Sequence, residues 1–106
     1  MSDPSPSLIT FLFTDLEGSA KLWELYPEAM KAALARHEEI SCDAVESHRG
    51  RVVKTMGDGL MASFAEAVDA LRAAITIERN ARAENWGEIP ALKIRAGIQF
   101  FEPGAL

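Results

Sequence analysis

Two carboxylates near the start of the chain, Asp15 and Glu17, stand between an apolar run and the pair Gly18 and Ser19. A carboxylate at a strand end, next to the unpaired amides of a helix start, could hold a metal ion and a phosphate together. Gly18 permits a close approach of the backbone, and Ser19 is a favourable N-cap for the helix that follows. Such a metal site needs a second carboxylate from elsewhere in the chain.

Asp58 is the candidate for that second carboxylate. It lies in Gly57-Asp58-Gly59, a turn signal between two short runs rich in strand-forming residues, which predicts the tip of a β-hairpin. By itself, Asp58 would be interpreted as ordinary turn chemistry, because Asp is common in turns. A role in metal binding therefore depends on whether the fold brings Asp58 beside Asp15.

The elements that must position these carboxylates follow from the spacing of apolar residues. Runs and alternation predict strands at 8–13, 51–56, 60–64 and 92–101. After a short helical turn at 19–26, a period near 3.6 predicts one helix from Glu28 to about Ser47, capped by Gly50, and another over 65–85. His37 lies on the apolar stripe of the first long helix and is interpreted as a packed residue.

The apolar patterns of the second long helix and of the last strand each predict one face that is turned toward the core. The helix stripe is assigned to Val68, Leu71, Ala74 and Ile75, with Ala67 and Ile77 nearby. On the last strand, the predicted inward residues are Ile94, Ala96, Ile98 and Phe100.

The order of strand, helix, strand, strand, helix, strand predicts an α+β fold. It is the ferredoxin-like βαββαβ pattern, one antiparallel sheet with helices on one face. The third strand is expected between the first and the second, which run parallel to each other. The end of the first strand then lies beside the turn between the second and third, so Asp15 and Asp58 should meet at one end of the sheet.

Two segments carry a resemblance to a known family. Phe13-Thr-Asp-Leu-Glu-Gly-Ser19, followed by Leu22-Trp23-Glu24, and Val52-Val-Lys-Thr-Met-Gly-Asp-Gly59 resemble motifs of the class III adenylyl/guanylyl cyclase catalytic domain. The match runs in register from about Leu8 to Ile98.

The resemblance implies a role for each matching position. It implies that Asp15, Asp58 and the backbone carbonyl of Leu16 bind metal, and that Lys54 binds the purine of ATP. The implied ions are two Mg²⁺ or Mn²⁺. The residues implied to bind phosphate through backbone amides are Leu16, Glu17, Gly18 and Ser19.

The implied reaction is the conversion of ATP to cyclic AMP and pyrophosphate. In the family, the metal aspartates and the purine-binding lysine of one site come from different chains. The resemblance therefore implies a homodimer, or pairing with a full-length cyclase domain.

The end of the chain departs from the family pattern. Gly97-Ile98 matches, but Gln99 stands where the family has histidine. Family members continue into a second half of similar size, and the residues up to Leu106 do not match it. We therefore expect a flexible tail at 1–7 and a partial cyclase domain at 8–106, with no complete catalytic set and little or no activity alone. The alternative is a non-catalytic ferredoxin-like module for nucleotide binding, regulation or interaction.

The composition limits which binding partners and which cell compartment fit the chain. A net charge of −5 and the lack of an aromatic RNA-binding motif argue against nucleic-acid binding. The single cysteine, Cys42, excludes an internal disulfide and a cysteine zinc cluster. No apolar run approaches the ~20 residues of a membrane span, and the first residues do not resemble a signal peptide. These features predict a cytoplasmic protein.

Overall fold

A computed structural model describes residues 9–101. The expected tail at 1–7, the first residue of the predicted opening strand and the chain end after Phe101 lie outside the described residues. Within them, the elements are β1 (Ile9–Leu16), α1 (Ser19–Leu25), α2 (Pro27–Ser47), β2 (Arg51–Met56), β3 (Gly59–Phe64), α3 (Ala67–Ala83) and β4 (Ile94–Phe101).

The four described strands form one sheet in the order β2-β3-β1-β4, and every neighbouring pair is antiparallel. The predicted α+β, ferredoxin-like fold is confirmed, with β3 inserted between β1 and β2. Thr14 of β1 is paired with Leu60 of β3, and Met56 of β2 with Gly59. This register brings the end of β1 beside the β2–β3 turn.

The core lies between the sheet and the two long helices. On β1, burial alternates strictly, and the even-numbered residues such as Leu12 face the helices. On the opposite face of the sheet, Phe11 packs against Phe13 and Phe101, with ring centroids 6.3 and 5.3 Å apart. The main buried cluster consists of Leu12, Ala44, Val45, Leu60, Ala62, Phe64, Ala70, Ala73 and Ile77. None of the helices within residues 9–101 is long and apolar enough to cross a bilayer.

The predicted inward stripe of α3 is wrong at three of its four residues, and only Ala74 packs against the buried cluster. Val68, Leu71 and Ile75 are 49%, 51% and 46% exposed. The buried residues of α3 are mostly small ones at a helical spacing, and they include Asp69, Ala70, Ala73, Ile77 and Ala81. Alanines let the helix backbone approach the sheet and α2 closely, whereas the larger apolar residues mark a different face. A prediction that gives more weight to large apolar side chains therefore chooses the exposed face of α3.

Both predicted helix caps are also corrected. Gly18, not Ser19, occupies the N-cap of α1, and its φ of 69° is left-handed, a conformation that glycine adopts without strain. At the end of α2, Arg49 rather than Gly50 takes the left-handed conformation, with φ 66°. Gly50 is needed for packing instead, because a Cβ there would lie 2.3 Å from the ring of Phe64.

The ends of the strands differ from prediction in two places. β1 continues through Leu16, so Asp15 is a strand residue paired with Arg95 and not part of the following turn. β4 begins at Ile94 rather than at residue 92, and Ala96 and Phe100, both predicted to face inward, are exposed. β4 is an edge strand of this sheet, so the side chains on its helix-facing side have few neighbours to pack against.

Candidate metal and nucleotide site

Asp15 lies on the sheet face that the helices leave uncovered. The strict alternation of β1 turns it to the same side as Phe11 and Phe13. Arg95, its partner across the β1–β4 ladder, donates from Nε to Oδ1 and from Nη2 to Oδ2, each at 2.8 Å. Both carboxylate oxygens of Asp15 are therefore held by one guanidinium.

The charges around this pair favour its ionised form. The hydrogen bond from Arg95 holds the pKa of Asp15 below its ordinary value. The Asp15 hydrogen bond raises the pKa of Arg95, and the charges of Glu17 and Asp58 add to that shift. The side chains of Asp15 and Arg95 are 46% and 62% exposed, so solvent screens the pair and it contributes little to stability. A divalent metal ion could displace the arginine from the carboxylate of Asp15.

Asp58 lies in the tight turn between β2 and β3. Gly57 has a left-handed φ of 56°, which allows the reversal. Asp58 and Asp15 line the same open cavity of about 530 Å³, together with Met56 and Arg95. Two carboxylates that are 43 positions apart in the sequence thus share one cavity at the end of the sheet.

Close contact between β3 and β1 holds the turn in place. A Cβ on Gly59 would lie 1.7 Å from the carbonyl oxygen of Thr14, so only glycine fits there. The next residue, Leu60, donates its backbone N–H to Thr14 Oγ1 at 3.3 Å. Gly59 and Thr14 therefore fix the distance of the Asp58 turn from the end of β1.

The four residues predicted to bind phosphate differ in whether their backbone amides are available for an anion. The Glu17 amide donates to the carbonyl of Lys93 at 2.8 Å, and is thus already engaged. Leu16 has a buried side chain that anchors the end of β1. The first amides of a helix have no intrahelical partner, so those of Gly18 and Ser19 are better placed to meet an anion.

Lys54 lies elsewhere on the sheet. It is an exposed residue of β2, paired with Met61 just after a register shift in the β2–β3 ladder. Among the described residues, the lining of the cavity that holds Asp15 and Asp58 does not include it. Its purine role stays a prediction, and in the family that role belongs to a partner chain's site.

Sequence reasoning missed Arg95, Thr14 and Gly59 as residues that shape the site. The predicted outward side of the last strand contained Arg95, but only the pairing of β4 with β1 sets it opposite Asp15. Gly59 belongs to a turn signal in the sequence. Glycine is required there for a different reason, which is the close approach of the neighbouring strand β1. No local signal in the sequence announces either contact.

The donor set suits one kind of metal. Within residues 9–101, no three His, Cys, Asp or Glu side chains are grouped as a metal site. Mg²⁺ normally uses one or two protein carboxylates and completes its shell with water and substrate phosphates. Asp15 and Asp58 fit that requirement, and the guanidinium of Arg95 already places a positive charge on Asp15.

We expect Arg95→Gln to tighten Mn²⁺ binding in the absence of nucleotide by up to about fivefold, a small change because exposed ion pairs are weak. The arginine and the metal compete for the same oxygens of Asp15. Titration of free Mn²⁺ by electron paramagnetic resonance measures the change, and Arg72→Gln on α3 is the matched control. Unchanged or weaker Mn²⁺ binding would show that Arg95 does not compete with metal.

Known proteins resemble the chain in both sequence and structure. It is 45% identical over 69 residues to an adenylate cyclase of Podospora anserina, which covers 64% of this chain and 3% of that protein. It is 35% identical over 83 residues to an adenylate cyclase of Neurospora crassa, which covers 78% and 4%. The adenylyl cyclase CyaB from P. aeruginosa superposes with a TM-score of 0.76 and 25% identity, over 91% of this chain and 57% of that one. No family model matches.

The fold and the two acidic motifs define a nucleotide cyclase domain. The chain belongs to the class III adenylyl and guanylyl cyclase family. It spans only a small fraction of the curated relatives it matches, and 57% of the solved CyaB chain.

Proposed function

We propose that these 106 residues form the metal- and triphosphate-binding half of an adenylyl cyclase site, with Asp15 and Asp58 as the metal-binding carboxylates. The observation that carries the proposal is that both side chains line one open cavity at the end of the sheet. Each belongs to a motif that resembles the family's metal-binding segments. The proposed ligand is ATP with Mg²⁺ or Mn²⁺.

The chain's own groups suit a triphosphate bound with metal. Asp15, Asp58 and the Leu16 carbonyl offer oxygen ligands, while the amides of Gly18 and Ser19 lie at the start of α1. Divalent ions, when bound, favour the 3′-oxyanion of the ribose and neutralise charge on the phosphates.

Arg95 has a second use in this arrangement. Once a cation takes the oxygens of Asp15, the guanidinium is released at the wall of the same cavity. Its planar donors match two phosphate oxygens as well as they match a carboxylate. Arg95 would therefore exchange Asp15 for a phosphate when metal and nucleotide bind together.

The proposed reaction forms a bond between the ribose 3′-oxygen and the α-phosphorus and breaks the bond from that phosphorus to the β-phosphate oxygen. The 3′-hydroxyl proton passes to solvent water and pyrophosphate leaves. In the family, an asparagine and an arginine stabilise this transition state, and neither matches a position in this chain. Losing such a donor lowers the rate by ~10²–10³, so turnover requires a partner that supplies them, either a second cyclase chain or a full-length domain.

Complementation tests the composite site. The partner is a full-length class III cyclase domain whose own metal aspartates are replaced by alanine, so that it cannot turn over alone. We expect no cyclic AMP from this chain with ATP and Mn²⁺, and cyclic AMP when the two proteins are mixed. Asp15→Ala in this chain should abolish the restored activity. Cyclic AMP from this chain alone would refute its dependence on a partner, and no restoration would refute the composite site.

A second candidate is a non-catalytic interaction module. The exposed apolar residues Val68, Leu71 and Ile75 on α3 favour it, because large apolar side chains grouped on one helix face can form a contact surface. This function predicts nucleotide binding, if any, that does not depend on divalent metal or on Asp15.

A further inference from the structure

The outer edge of β4 has no strand beside it among the described residues. The sheet runs β2-β3-β1-β4, so β2 and β4 are its two edges. An edge strand presents unpaired N–H and C=O groups, and another chain can pair with them unless the edge is short, charged, bulged or covered. The two edges of this sheet differ in that protection.

The β2 edge is protected, whereas the β4 edge is not. β2 has six residues, its ladder with β3 shifts register between Val52 and Lys54, and Arg51 and Lys54 are exposed. β4 has eight residues and pairs with β1 without such a shift. It contains no proline, and its one charged residue, Arg95, is already paired with Asp15. β4 is therefore the edge at which another strand can be added.

The register of β4 against β1 shows which of its backbone groups point outward. The Glu17 amide donates to the Lys93 carbonyl at 2.8 Å, one step beyond the last pair of the ladder. In an antiparallel ladder, hydrogen-bonded pairs alternate with pairs that are not hydrogen-bonded. The odd-numbered residues of β4 therefore bond to β1. The even-numbered residues have their N–H and C=O groups at the free edge: Ile94, Ala96, Ile98 and Phe100.

A cavity of about 430 Å³ opens beside the start of this edge. Its lining includes the apolar residues Ala81, Trp86, Leu92 and Ile94. Glu78 and Arg82, which also line it, pair with each other at 2.8 Å. At the other end of β4, the side chain of Phe100 is 52% exposed. A cavity of roughly 150 Å³ already admits a benzene ring, so this one can accept the Phe100 ring of another molecule.

The exposed apolar residues of α3 flank the same edge. Thr76 Oγ1 lies 2.9 Å from His48 Nε2, so that side of α3 faces α2. Glu78 is on the opposite side of the helix and lines the cavity beside β4. Ile75 lies one turn before Glu78 and Leu71 two turns before it, since residues three or four apart are neighbours on a helix. A strand added to β4 would cover part of this stripe.

We propose that a second copy of this chain adds its own β4 to this edge, antiparallel and related by a two-fold axis at Gly97. A two-fold contact requires a patch that is complementary to itself. This register pairs Ile94 of one copy with Phe100 of the other, and Ala96 with Ile98. The outward amides and carbonyls of these residues then bond to each other, and each Phe100 lies at the mouth of the other copy's cavity.

The charges and the length of β4 select this register. Each copy has a net charge of −5, but β4 contains no acidic residue. With the axis at Gly97, Arg95 lies opposite Gln99, whereas an axis at Arg95 would place like charges directly opposite each other, which is destabilising. An axis at Ala96 or Ile98 would leave one end of the free edge without a partner from β4.

The contact is independent of the proposed function. The helix-facing side of β4 and its free edge form the contact, while the side chain of Asp15 lies on the other face of the sheet. The cavity that Asp15 shares with Asp58 stays open. This dimer is therefore separate from the pairing that the composite site requires, and it can be tested without metal or nucleotide.

Sedimentation equilibrium of the 106-residue chain tests the dimer. We expect twice the mass of one chain as the main species at about 100 μM, which requires only a weak interface. Phe100→Asp places a charge at the mouth of the cavity and should weaken dimerisation about 30-fold or more, as for the loss of a central anchor. Val53→Asp, at an exposed residue of the β2 edge, is the matched control.

Two further variants test the backbone pairing. The Ala96 N–H points outward, so Ala96→Pro removes no bond to β1, and proline is tolerated at an edge. This variant should be monomeric and still folded by circular dichroism. In a Cys42→Ser background, Gly97→Cys should form a disulfide between copies on mild oxidation, because residues opposite each other in such a pair lie about 4.5 Å apart at Cα. Val53→Cys should not.

The outcomes decide the proposal without touching the metal site. A chain that is still monomeric at about 1 mM, or a dimer that persists in folded Phe100→Asp and Ala96→Pro, would overturn it. A dimer without the Gly97→Cys disulfide would overturn the register and the proposal with it. If the chain is monomeric but binds a full-length cyclase domain, and Ala96→Pro abolishes that binding, the edge takes a strand of another protein and not of a second copy.

Discussion

Asp58→Asn should abolish the Mn²⁺-dependent part of the binding of a non-cyclisable ATP analogue. The loss should exceed the 10–100-fold effect of removing an outer-shell partner, because a direct metal ligand is lost. The amide keeps the size of the side chain but removes the charge that Mg²⁺ and Mn²⁺ require from their oxygen ligands. Calorimetric titration with and without Mn²⁺ isolates the metal-dependent part.

Asp58 is a cleaner test than Asp15. Asp15→Asn would also break the bidentate pair with Arg95, so a change in binding would have two causes. Asp43→Asn, at an exposed residue of α2, controls for the loss of one negative charge. Binding by Asp58→Asn that still depends on Mn²⁺ would exclude Asp58 as a ligand and favour the interaction module.

Gly59→Ala should lower the free energy of unfolding by about 3 kcal/mol, at the upper end of the usual effect of overpacking. The new Cβ would lie 1.7 Å from the Thr14 carbonyl oxygen and 2.7 Å from the Thr14 carbonyl carbon. Both are backbone atoms of a central strand, so neither can move without disturbing the pairing of β1 with β3. Urea denaturation followed by circular dichroism measures the change.

Gly97→Ala is the matched control for that experiment. Gly97 is also a strand glycine, but a Cβ there meets nothing within 4 Å. We expect its free energy of unfolding to stay within about 0.5 kcal/mol of the unaltered chain, as for most surface substitutions. Equal stability of the two variants would mean that β3 does not approach β1 as closely as described.

The sequence predicted the elements that have one unambiguous pattern. β1 has a continuous apolar run, and α2 has apolar residues at a helical period, so the sequence predicts both elements, although β1 extends three residues further than predicted. α3 offered two helical stripes, one of large apolar residues and one of alanines. The choice between them depends on how closely the helix approaches the sheet and α2, which is a property of packing and not of local pattern.

The helix ends illustrate the same limit. Gly50 was assigned the left-handed position because glycine adopts it most easily, yet Arg49 takes it. Gly50 is required by the ring of Phe64, the last residue of β3. A glycine in a sequence shows that something is constrained there, but not whether the constraint is a dihedral angle or a neighbour.

The sequence by itself determined the order of the elements, the two acidic motifs and the expectation that their carboxylates meet. The predicted order of the elements is confirmed, because turn signals and apolar periods act locally and few chain topologies suit that order. Only the tertiary structure decided that Arg95 holds Asp15 and that Gly59 lies against Thr14. Each of these contacts joins separate elements, and its geometry depends on strand register and helix packing, which no local pattern encodes.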